Sequence, residues 1–386
     1  MSEFRTIREL CSVVVDCPHS TPKWTVNGKI VIRNNNIKHG RIDFSSPSYT
    51  DDEHFAQRIK RAKPQPGDII ITREAPIGDV GMIPENTECC LGQRMVLLRA
   101  NQSVCDNFYL LYSLQSLYVQ HQISWSEGTG TTVSNLRIPH LEQIQIPYLP
   151  LEQQAKISSV LRALEEKIEN NRRLNDNLHQ QAAALFSSLY DRSNTEVRFT
   201  DLIQILGGGT PKTGENTYWN GNIAFFTPKD VGIPYTLITE KTISKEGLSH
   251  CNSRLYPVNT VFVTARGTVG KVGMSGVPMA MNQSCYALVG KETHQLLVYF
   301  YTLKAVDRLK HKASGAVFDA ITTRDFESEQ IMKLSDDDAT AFLRVAEPMF
   351  QEVLNNNIEN LRLSTLRDSL LPKLMSGEID VSAVQL

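Results

Sequence analysis

The sequence predicts an α+β protein built from two repeated domains, each followed by a long helix. Two observations predict the repeat and the helices. The motifs of the first half return in the same order in the second half, and each half ends in a stretch with helical periodicity. A third observation predicts the domains, because short apolar runs alternate there with turns rich in Gly, Pro and Asn.

The composition is that of a folded protein long enough for two domains. Of its 386 residues, 41% are hydrophobic and 21% are charged. A net charge of -2 excludes a protein that binds nucleic acid with its whole surface, but it leaves room for a local basic face. The first residues do not resemble a signal peptide, and no run approaches the roughly 18 apolar residues of a membrane span. We therefore expect a cytoplasmic protein without membrane contact.

The cysteines predict neither a disulfide framework nor a metal site. The chain contains 7 Cys, an odd number. None of them has the spacing of a zinc ligand set, so we expect reduced structural thiols.

The repeat is defined by motifs that keep their order and spacing. The paired motifs are Thr-Pro-Lys at 21–23 and 210–212, a following Trp24 or Trp219, an apolar strand ending in Thr at 68–72 and 260–264, the turn sequences at 77–81 and 269–273, and Gln93 or Gln283. We expect further short strands at 30–33 and 95–98, with counterparts in the second half. Each repeat is therefore predicted to form one α+β domain.

Both helical stretches carry the apolar spacing of a coiled coil, in which steps of four and three alternate. The apolar positions are Ile157, Leu161, Leu164, Ile168, Leu178, Ala182, Leu185 and Leu189 in the first stretch, and Phe342, Ala346, Met349, Val353, Leu363, Leu370 and Leu374 in the second. Arg367 is a charged exception. Asn interrupts both series at matching places, at Asn171 and Asn175 and at Asn356 and Asn360. A buried Asn can fix helix register by meeting a partner Asn. Alternatively, these residues face solvent.

The first helix is too long to be a core element of one domain. Residues 152–190 would span roughly 58 Å at about 1.5 Å per residue. Pro348 and Pro372 predict a kink or a late start near Pro348 in the second helix. We expect the two helices to pair with each other and to hold the two domains at opposite ends.

Enzymatic motifs are missing from the sequence. Residues 207–214 are rich in Gly, but they lack the Gly-Lys-Ser/Thr ending of a phosphate-binding loop. There is no Gly-x-Ser-x-Gly, no His-Glu-x-x-His, and no Asn/Asp-Pro-Pro-Tyr of the kind that holds a flipped base. We therefore predict no catalytic residue and no metal ligand.

Side chains suited to DNA are concentrated in loops instead. Arg and Lys can contact guanine or phosphate, and Asn and Gln can contact adenine. The predicted DNA-binding residues are Lys23, Arg33, Asn34, Asn36, Lys38, Arg41, Arg73, Gln93, Arg94, Thr129, Thr131, Lys212, Lys229, Arg266 and Gln283. For each of them the alternative is a structural ion pair or a solvated loop position.

Six segments, taken in order, resemble the DNA-specificity (S) subunit of type I restriction-modification enzymes. They are DCPHSTPKW, RNNNIKHGRID, GDIIITREAPIGDVG, PLEQQAKI, LGGGTPKT and LRDSLLPKLMSGEI. The resemblance covers essentially the whole chain. It implies two target recognition domains, at 1–150 and 193–335, separated by two helices that form an antiparallel coiled coil. The helical segments are 151–192 and, with a tail, 336–386.

The same resemblance implies a non-catalytic subunit with several partners. Each domain would recognise half of a bipartite site in double-stranded DNA. Two modification (methyltransferase) subunits would bind the helices, and restriction (translocase-nuclease) subunits would join the complex. No cofactor is expected on this chain, because S-adenosylmethionine would bind the methyltransferase. The sequence departs from strict repetition at 333–338, KLSDDD, where the first half has YLPLEQ at 148–153.

Two other functions remain open at this point. One is a stand-alone DNA methyltransferase or nuclease with a built-in recognition domain. The other is a helical interaction protein whose domains bind proteins.

Overall fold

The protein divides into two compact units that share the long helices. The structure, a computed structural model, describes residues 3–38, 40–125, 135–312 and 320–381. The first unit comprises Met1–Lys167 and Leu363–Leu386, and the second comprises Ile168–Arg362.

The first unit is an α+β domain with short elements. In chain order its elements are β1 (Glu3–Thr6), α1 (Ile7–Leu10), β2 (Cys11–Asp16), β3 (Lys29–Ile32), β4 (Ile37–Lys38), β5 (Arg41–Ile42), β6 (Ser48–Thr50), α2 (Asp52–Arg58), β7 (Ile69–Thr72), β8 (Val80–Met82), β9 (Cys89–Leu91), β10 (Met95–Ala100), α3 (Asn107–Gln115), α4 (Leu117–Trp125), α5 (Ile138–Gln143), β11 (Gln145–Tyr148) and the beginning of α6 (Leu151–Asp191).

A central antiparallel sheet of the first unit, in the order β2-β10-β7-β8, is buried on both faces. Ile69 and Ile71 of β7 pack with helix α3 on one face, while Ile70 packs with β3 and β9 on the other. Side chains of a strand alternate between faces, so a strand buried on both sides needs a continuous apolar run. This explains the uninterrupted isoleucines before Thr72.

The second unit repeats this plan. Its elements are the remainder of α6, β12 (Thr195–Arg198), α7 (Phe199–Leu202), β13 (Ile203–Gly207), β14 (Trp219–Phe226), β15 (Tyr235–Thr236), β16 (Lys241–Ile243), α8 (Lys245–Ser249), β17 (Val261–Thr264), β18 (Val272–Ser275), β19 (Met279–Met281), β20 (Cys285–Gly290), α9 (Gln295–Lys312), α10 (Thr323–Ser328), β21 (Gln330–Lys333) and most of α11 (Asp336–Met375).

The predicted repeat is confirmed by the strand order. The second sheet runs β13-β20-β17-β18, the same order as β2-β10-β7-β8, and adds β15 at its edge. Val261 and Val263 face one core cluster and Phe262 the other, as in β7. In each repeat a small ladder joins the first strand to the strand before a long helix, β1 with β11 and β12 with β21.

The long helices pack through the predicted apolar positions within each unit. In the first unit Ile157 and Leu161 of α6 share a core cluster with Leu374 of α11. In the second unit Ala182 and Leu189 share a cluster with Phe342, Ala346 and Val353, and Phe186 joins it. The rings of Phe186 and Phe342 meet edge to face, with 5.5 Å between centroids.

Of the predicted kink or late start near Pro348, the late start is wrong. Helix α11 begins at Asp336, and Pro348 lies inside it on an exposed position. A proline in a helix leaves the carbonyl four residues earlier, here that of Arg344, without its usual amide donor. Arg344 is also exposed, so solvent can satisfy that carbonyl. The early start is favoured by Asp336, Asp337 and Asp338, acidic residues in the first turn.

Burial keeps most cysteines in the thiol form. Six of the seven are buried, and Cys251 is half-buried. Burial raises the pKa of Cys11 to about 12 and that of Cys90 to about 11. A thiol with so high a pKa is a poor nucleophile and a poor metal ligand at neutral pH.

Among the helices of the described residues, none is long and apolar enough to span a membrane.

Candidate nucleic-acid interface

Several predicted DNA-binding residues of the first unit surround one pocket. The pocket has a volume of about 440 Å³ and is lined by Pro22, Trp24, Arg33, Asn34, Asn35, Ala75, Gly92, Gln93 and Arg94. They come from the loops that follow β2, β3, β7 and β9. β2 and β7 belong to the central sheet and β3 and β9 to a second sheet, so the fold brings together residues that are far apart in the sequence.

An aromatic ring and a guanidinium form one wall of the pocket. Cζ of Arg33 lies 5.2 Å from the centre of the Trp24 ring, and the Trp24 side chain is 45% exposed. Cation-π contact holds the guanidinium without a counter-charge. Both groups present flat faces on which a nucleic-acid base can stack.

Glu74 connects two further residues of the pocket. Nδ2 of Asn34 donates to the backbone carbonyl of Glu74 across 2.6 Å, and Nε of Arg94 lies 3.2 Å from Oε2 of the Glu74 carboxylate. Oδ1 of Asn34 is buried and accepts no hydrogen bond from any described residue. Arg94 has φ 65°, an uncommon conformation for a residue with a Cβ atom, and its carbonyl accepts from the amide of Arg73 at 2.8 Å. Glu74 thus holds Asn34 and Arg94 on one side of the pocket.

The repeated Thr-Pro-Lys and Gln motifs meet in both units. Nε2 of Gln93 lies 3.3 Å from Oγ1 of Thr21, and it also donates to the carbonyl of His19. In the second unit the hydroxyl of Thr210 donates to Oε1 of Gln283. The Thr–Gln contact is thus repeated in the two units, although Gln93 is half-buried and Gln283 is exposed.

Arg73 is used inside the first unit. Its side chain is buried, and its guanidinium donates to Oδ2 of Asp16 (2.8 Å), the carbonyl of Leu136 (2.8 Å) and Oδ1 of Asn135 (3.1 Å). These contacts favour the structural alternative stated above for this residue. It anchors the β7 strand end to two other segments.

Asn36, Lys38 and Arg41 also have partners inside the first unit. Asn36 is buried, and its Nδ2 donates to the carbonyl of Asp43 at 3.0 Å. Lys38 lies 2.7 Å from Oδ2 of Asp43, and this hydrogen bond is the main reason that the pKa of that carboxyl is lowered. Nη2 of Arg41 donates to the backbone carbonyl of Glu165 in α6 at 3.0 Å. Only Lys38 of the three is exposed.

Three predicted residues remain for the first unit. Lys23 is exposed, and its Nζ lies 3.3 Å from Oδ2 of Asp51. Thr129 and Thr131 lie outside the described residues.

The predicted residues of the second unit are all exposed. Lys212 is exposed and accepts, at its backbone carbonyl, a hydrogen bond of 3.3 Å from Nε1 of Trp219. Lys229 forms a long ion pair with Glu240, at 3.7 Å. Arg266 is exposed, and its backbone amide donates to the carbonyl of Ser284 at 3.3 Å. The second unit therefore presents exposed cations at the matching place, with the Trp219 ring beside Lys212.

The Asn residues of the helices meet each other in the second unit. Nδ2 of Asn171 donates to Oδ1 of Asn360 at 3.0 Å, and Nδ2 of Asn356 donates to Oδ1 of Asn175 at 2.9 Å. The later residue of one helix pairs with the earlier residue of the other, so α6 and α11 run antiparallel here. Asn360 is half-buried, and the other three are buried.

Comparison with known families decides where this chain belongs. The model for the type I restriction modification DNA specificity domain matches residues 3–180 and again residues 192–333. The chain belongs to this family. The two matches of the specificity domain correspond to the two repeats of the fold.

Two curated relatives of the specificity family illustrate the extent of the similarity. The MjaIX specificity subunit of the type I restriction enzyme from Methanocaldococcus jannaschii is 22% identical over 342 residues, which cover 82% of this chain and 78% of the relative. The HindI specificity subunit from Haemophilus influenzae is 28% identical over 186 residues, covering 47% of this chain and 40% of the relative.

A solved specificity subunit has the same fold. The type I restriction-modification S subunit from M. genitalium superposes with a TM-score of 0.58 at 18% identity, covering 96% of this chain and 95% of that structure. The predicted fold class is therefore confirmed: two repeated α+β domains of the specificity family and two long helices.

Sequence reasoning missed Thr21, Thr210 and Trp24 as parts of this surface. The repeat could have indicated the two threonines, since both threonines and both glutamines occupy matching positions in it. The stacking of Arg33 on Trp24 carried no such signal, because Trp219 in the second unit instead meets Lys241, at 5.7 Å.

Proposed function

We propose that the chain is the sequence-specific DNA-recognition subunit of a type I restriction-modification complex. Each domain recognises one half of a bipartite site in double-stranded DNA. The observation that supports this most strongly is the repetition of one sheet, in the same strand order, in a chain whose two halves both match a DNA specificity domain. Two similar domains suit a site made of two half-sites.

Base recognition in the first domain is assigned to Arg33, Asn34, Gln93 and Arg94 around the pocket. Arg can donate two hydrogen bonds to guanine, and Asn and Gln can pair with adenine. In the second domain Gln283 takes this role. Lys23, Lys38, Lys212, Lys229 and Arg266 are assigned to phosphates, because flexible exposed cations suit the DNA backbone.

The helical segments, 151–192 and 336–386, are assigned to spacing and assembly. They hold the domains at 1–150 and 193–335 apart and bind two methyltransferase subunits, and restriction subunits join this complex in the cytoplasm. The curated relatives are named as specificity subunits of type I restriction enzymes, which supports assembly with other subunits. S-adenosylmethionine binds the methyltransferase, and this chain contributes recognition without catalysis.

The proposal is tested by DNA binding of the purified chain together with its methyltransferase. Methylated sites in cells with and without the gene give the motif. The complex should bind a duplex containing this motif at moderate salt, and a duplex with scrambled half-sites only at low salt. Equal binding of both duplexes at every salt concentration would contradict sequence-specific recognition. Methylation by the chain without its partner would instead favour a stand-alone methyltransferase.

A further inference from the structure

The turn that follows the central strand β7 has a defined geometry in the first domain. The amide of Gly78 donates to the carbonyl of Thr72 at 2.9 Å, and the amide of Asp79 donates to Oγ1 of Thr72 at 2.9 Å. Gly78 has φ 82°, the left-handed conformation that favours glycine. These two hydrogen bonds fix the backbone of Asp79, and therefore the place at which its side chain leaves the turn.

The second domain builds the same turn after β17. The amide of Gly270, φ 74°, donates to the carbonyl of Thr264 at 2.9 Å, and the amide of Lys271 donates to Oγ1 of Thr264 at 2.9 Å. Lys271 therefore occupies the position that Asp79 occupies in the first domain.

A helix residue adjoins this turn in both domains. A Cβ atom on Gly78 would lie 3.0 Å from Oε1 of Gln120, and a Cβ atom on Gly270 would lie 2.6 Å from Cε of Lys310. Gln120 and Lys310 thus occupy equivalent places against the two turns. The neutral amide of the first domain is replaced by an ammonium in the second.

A third position shows the same change of charge. Two residues after the strand-end Thr, the first domain has Glu74 and the second has Arg266. Glu74 forms an ion pair with Arg94, at 3.2 Å. Arg266 is exposed and, within the described ranges, its side chain has no counter-charge, and the same is true of Lys271 and Lys310. Three positions that are acidic or neutral in the first domain are therefore cationic in the second.

These cations border the surface already assigned to DNA. The amide of Arg266 donates to the carbonyl of Ser284, the neighbour of Gln283. Oγ1 of Thr268, in the same turn, donates to the carbonyl of Pro228 at 3.2 Å, next to Lys229. The group formed by Arg266, Lys271 and Lys310, hereafter the turn cations, thus extends the Gln283 surface.

We propose that the turn cations bind DNA phosphates beside the second half-site and that the first domain lacks an equivalent phosphate contact. Exposed cations on and beside one turn attract a polyanion, and its binding releases bound salt ions. The inference rests on the proposed function and adds that the two domains hold DNA by unequal electrostatic contacts.

The test uses the complex of the full chain with its methyltransferase and a duplex that contains the motif. Affinity is measured at several salt concentrations for wild type and for the triple variant Arg266→Ala, Lys271→Ala, Lys310→Ala. The variant should bind every sequence more weakly, and the slope of log affinity against log salt should fall by about 0.9 for each lost phosphate contact. The methylated motif should keep both half-sites.

Matched changes in the first domain give the control. Asp79→Ala should leave the salt slope as in wild type, whereas Asp79→Lys should raise it by up to about 0.9, because a cation is then placed on the equivalent turn. A circular dichroism melting curve checks that each variant is folded.

Three other outcomes would contradict the inference, and each of them identifies a different claim as wrong. An unchanged slope in the triple variant, with normal wild-type binding, refutes the phosphate contacts and leaves the proposed function intact. Loss of the methyltransferase from the triple variant in size-exclusion chromatography would assign the turn cations to a protein partner. Failure of the wild-type complex to prefer the motif would refute the proposed function itself.

Discussion

Asn356 donates a hydrogen bond from Nδ2 to Oδ1 of Asn175 across 2.9 Å, and both side chains are buried between α6 and α11. Nδ2 of Asn175 donates in turn to Oδ1 of Asn357 at 3.1 Å. A shift of either helix by one position would leave these amides facing apolar side chains. The pair therefore penalises any other register in this part of the molecule.

Removing one partner of this pair should destabilise the protein. In Asn356→Ala the buried Oδ1 of Asn175 loses its donor, and we expect the free energy of unfolding to fall by about 1–3 kcal/mol. Urea unfolding followed by circular dichroism measures the change. Asn355→Ala is the control, because Asn355 is exposed one position away, and it should change stability by less than about 0.5 kcal/mol. Equal effects of the two substitutions would rule out a role for the pair.

Substitution of Arg73 should lower the stability of the protein, whereas substitution of Arg33 should weaken DNA recognition. Arg73→Ala takes the guanidinium away from the half-buried carboxylate of Asp16 and from the carbonyl of the buried Leu136, so we expect the free energy of unfolding to fall by about 1–3 kcal/mol. Arg33→Ala removes only an exposed contact with Trp24, so stability should change little. Its effect should be a loss of about 1–3 kcal/mol in DNA binding that depends on the sequence of the first half-site.

Two measurements on each variant check this assignment. They are unfolding in urea and affinity for a set of duplexes with changed half-sites. A stable Arg73→Ala protein with selectively weakened DNA binding would return Arg73 to the group of base contacts. A loss in Arg33→Ala that is the same for all duplexes would make Arg33 a phosphate contact.

His179 should make the second unit sensitive to mild acid. Its ring packs against Tyr299, Phe300 and Phe350, and Nε2 lies 3.0 Å from the Tyr299 hydroxyl. Burial lowers the pKa of His179 below its ordinary value of 6.5, and the neighbouring Asp176 opposes the shift only in part. The unfolded chain therefore binds a proton at a higher pH than the folded one. Stability that is present above pH 6.5 should decrease as pH falls from there to the folded pKa.

The pH dependence of urea unfolding, measured with and without His179→Phe, checks this expectation. The decrease that begins near pH 6.5 should be reduced in the variant. Carboxylates with lowered pKa values, such as Asp51 and Glu88, lose their contribution only at lower pH, since their ordinary values are 3.8 and 4.5. Identical curves for both proteins above pH 5 would show that His179 does not titrate on unfolding.

If the helices set the spacing of the half-sites, longer helices should select a DNA site with a longer spacer. Seven residues inserted after position 173 and seven after position 358 keep both Asn pairs opposite each other and preserve the heptad phase. The insertion adds about 10 Å of helix, which corresponds to about three base pairs. The methylated motif in cells should keep both half-sites and gain a longer unrecognised spacer. An unchanged spacer with full methylation would leave the helices as binding surfaces alone.

The repeat and the helices could be predicted because they depend on local pattern. The isoleucines before Thr72 must fill a sheet buried on both faces, and the seam of α6 follows a period fixed by helix geometry. The fate of single polar side chains could not be predicted. Arg73 is buried because Asp16, distant in sequence, lies beside it in the fold.

Arg367 shows the same limit of sequence reasoning. It interrupts the apolar series of α11, yet its Nη1 lies 3.5 Å from Oε1 of Glu165 in α6, whose Oε2 accepts from the hydroxyl of Tyr112 at 3.0 Å. The equivalent part of the second unit is apolar, with Ala182 and Phe350 in its core. The ion pair between Arg367 and Glu165 becomes visible only when the two helices are seen packed together.

The most direct test of bipartite recognition exchanges residues 1–150 for the matching domain of a relative that has a different site. Methylated motifs are then determined by sequencing DNA from cells that carry the hybrid and the unaltered methyltransferase. We predict that one half of the motif changes to that of the relative, while the other half and the spacer stay the same. A motif in which both halves change together would contradict the assignment of one half-site to each domain.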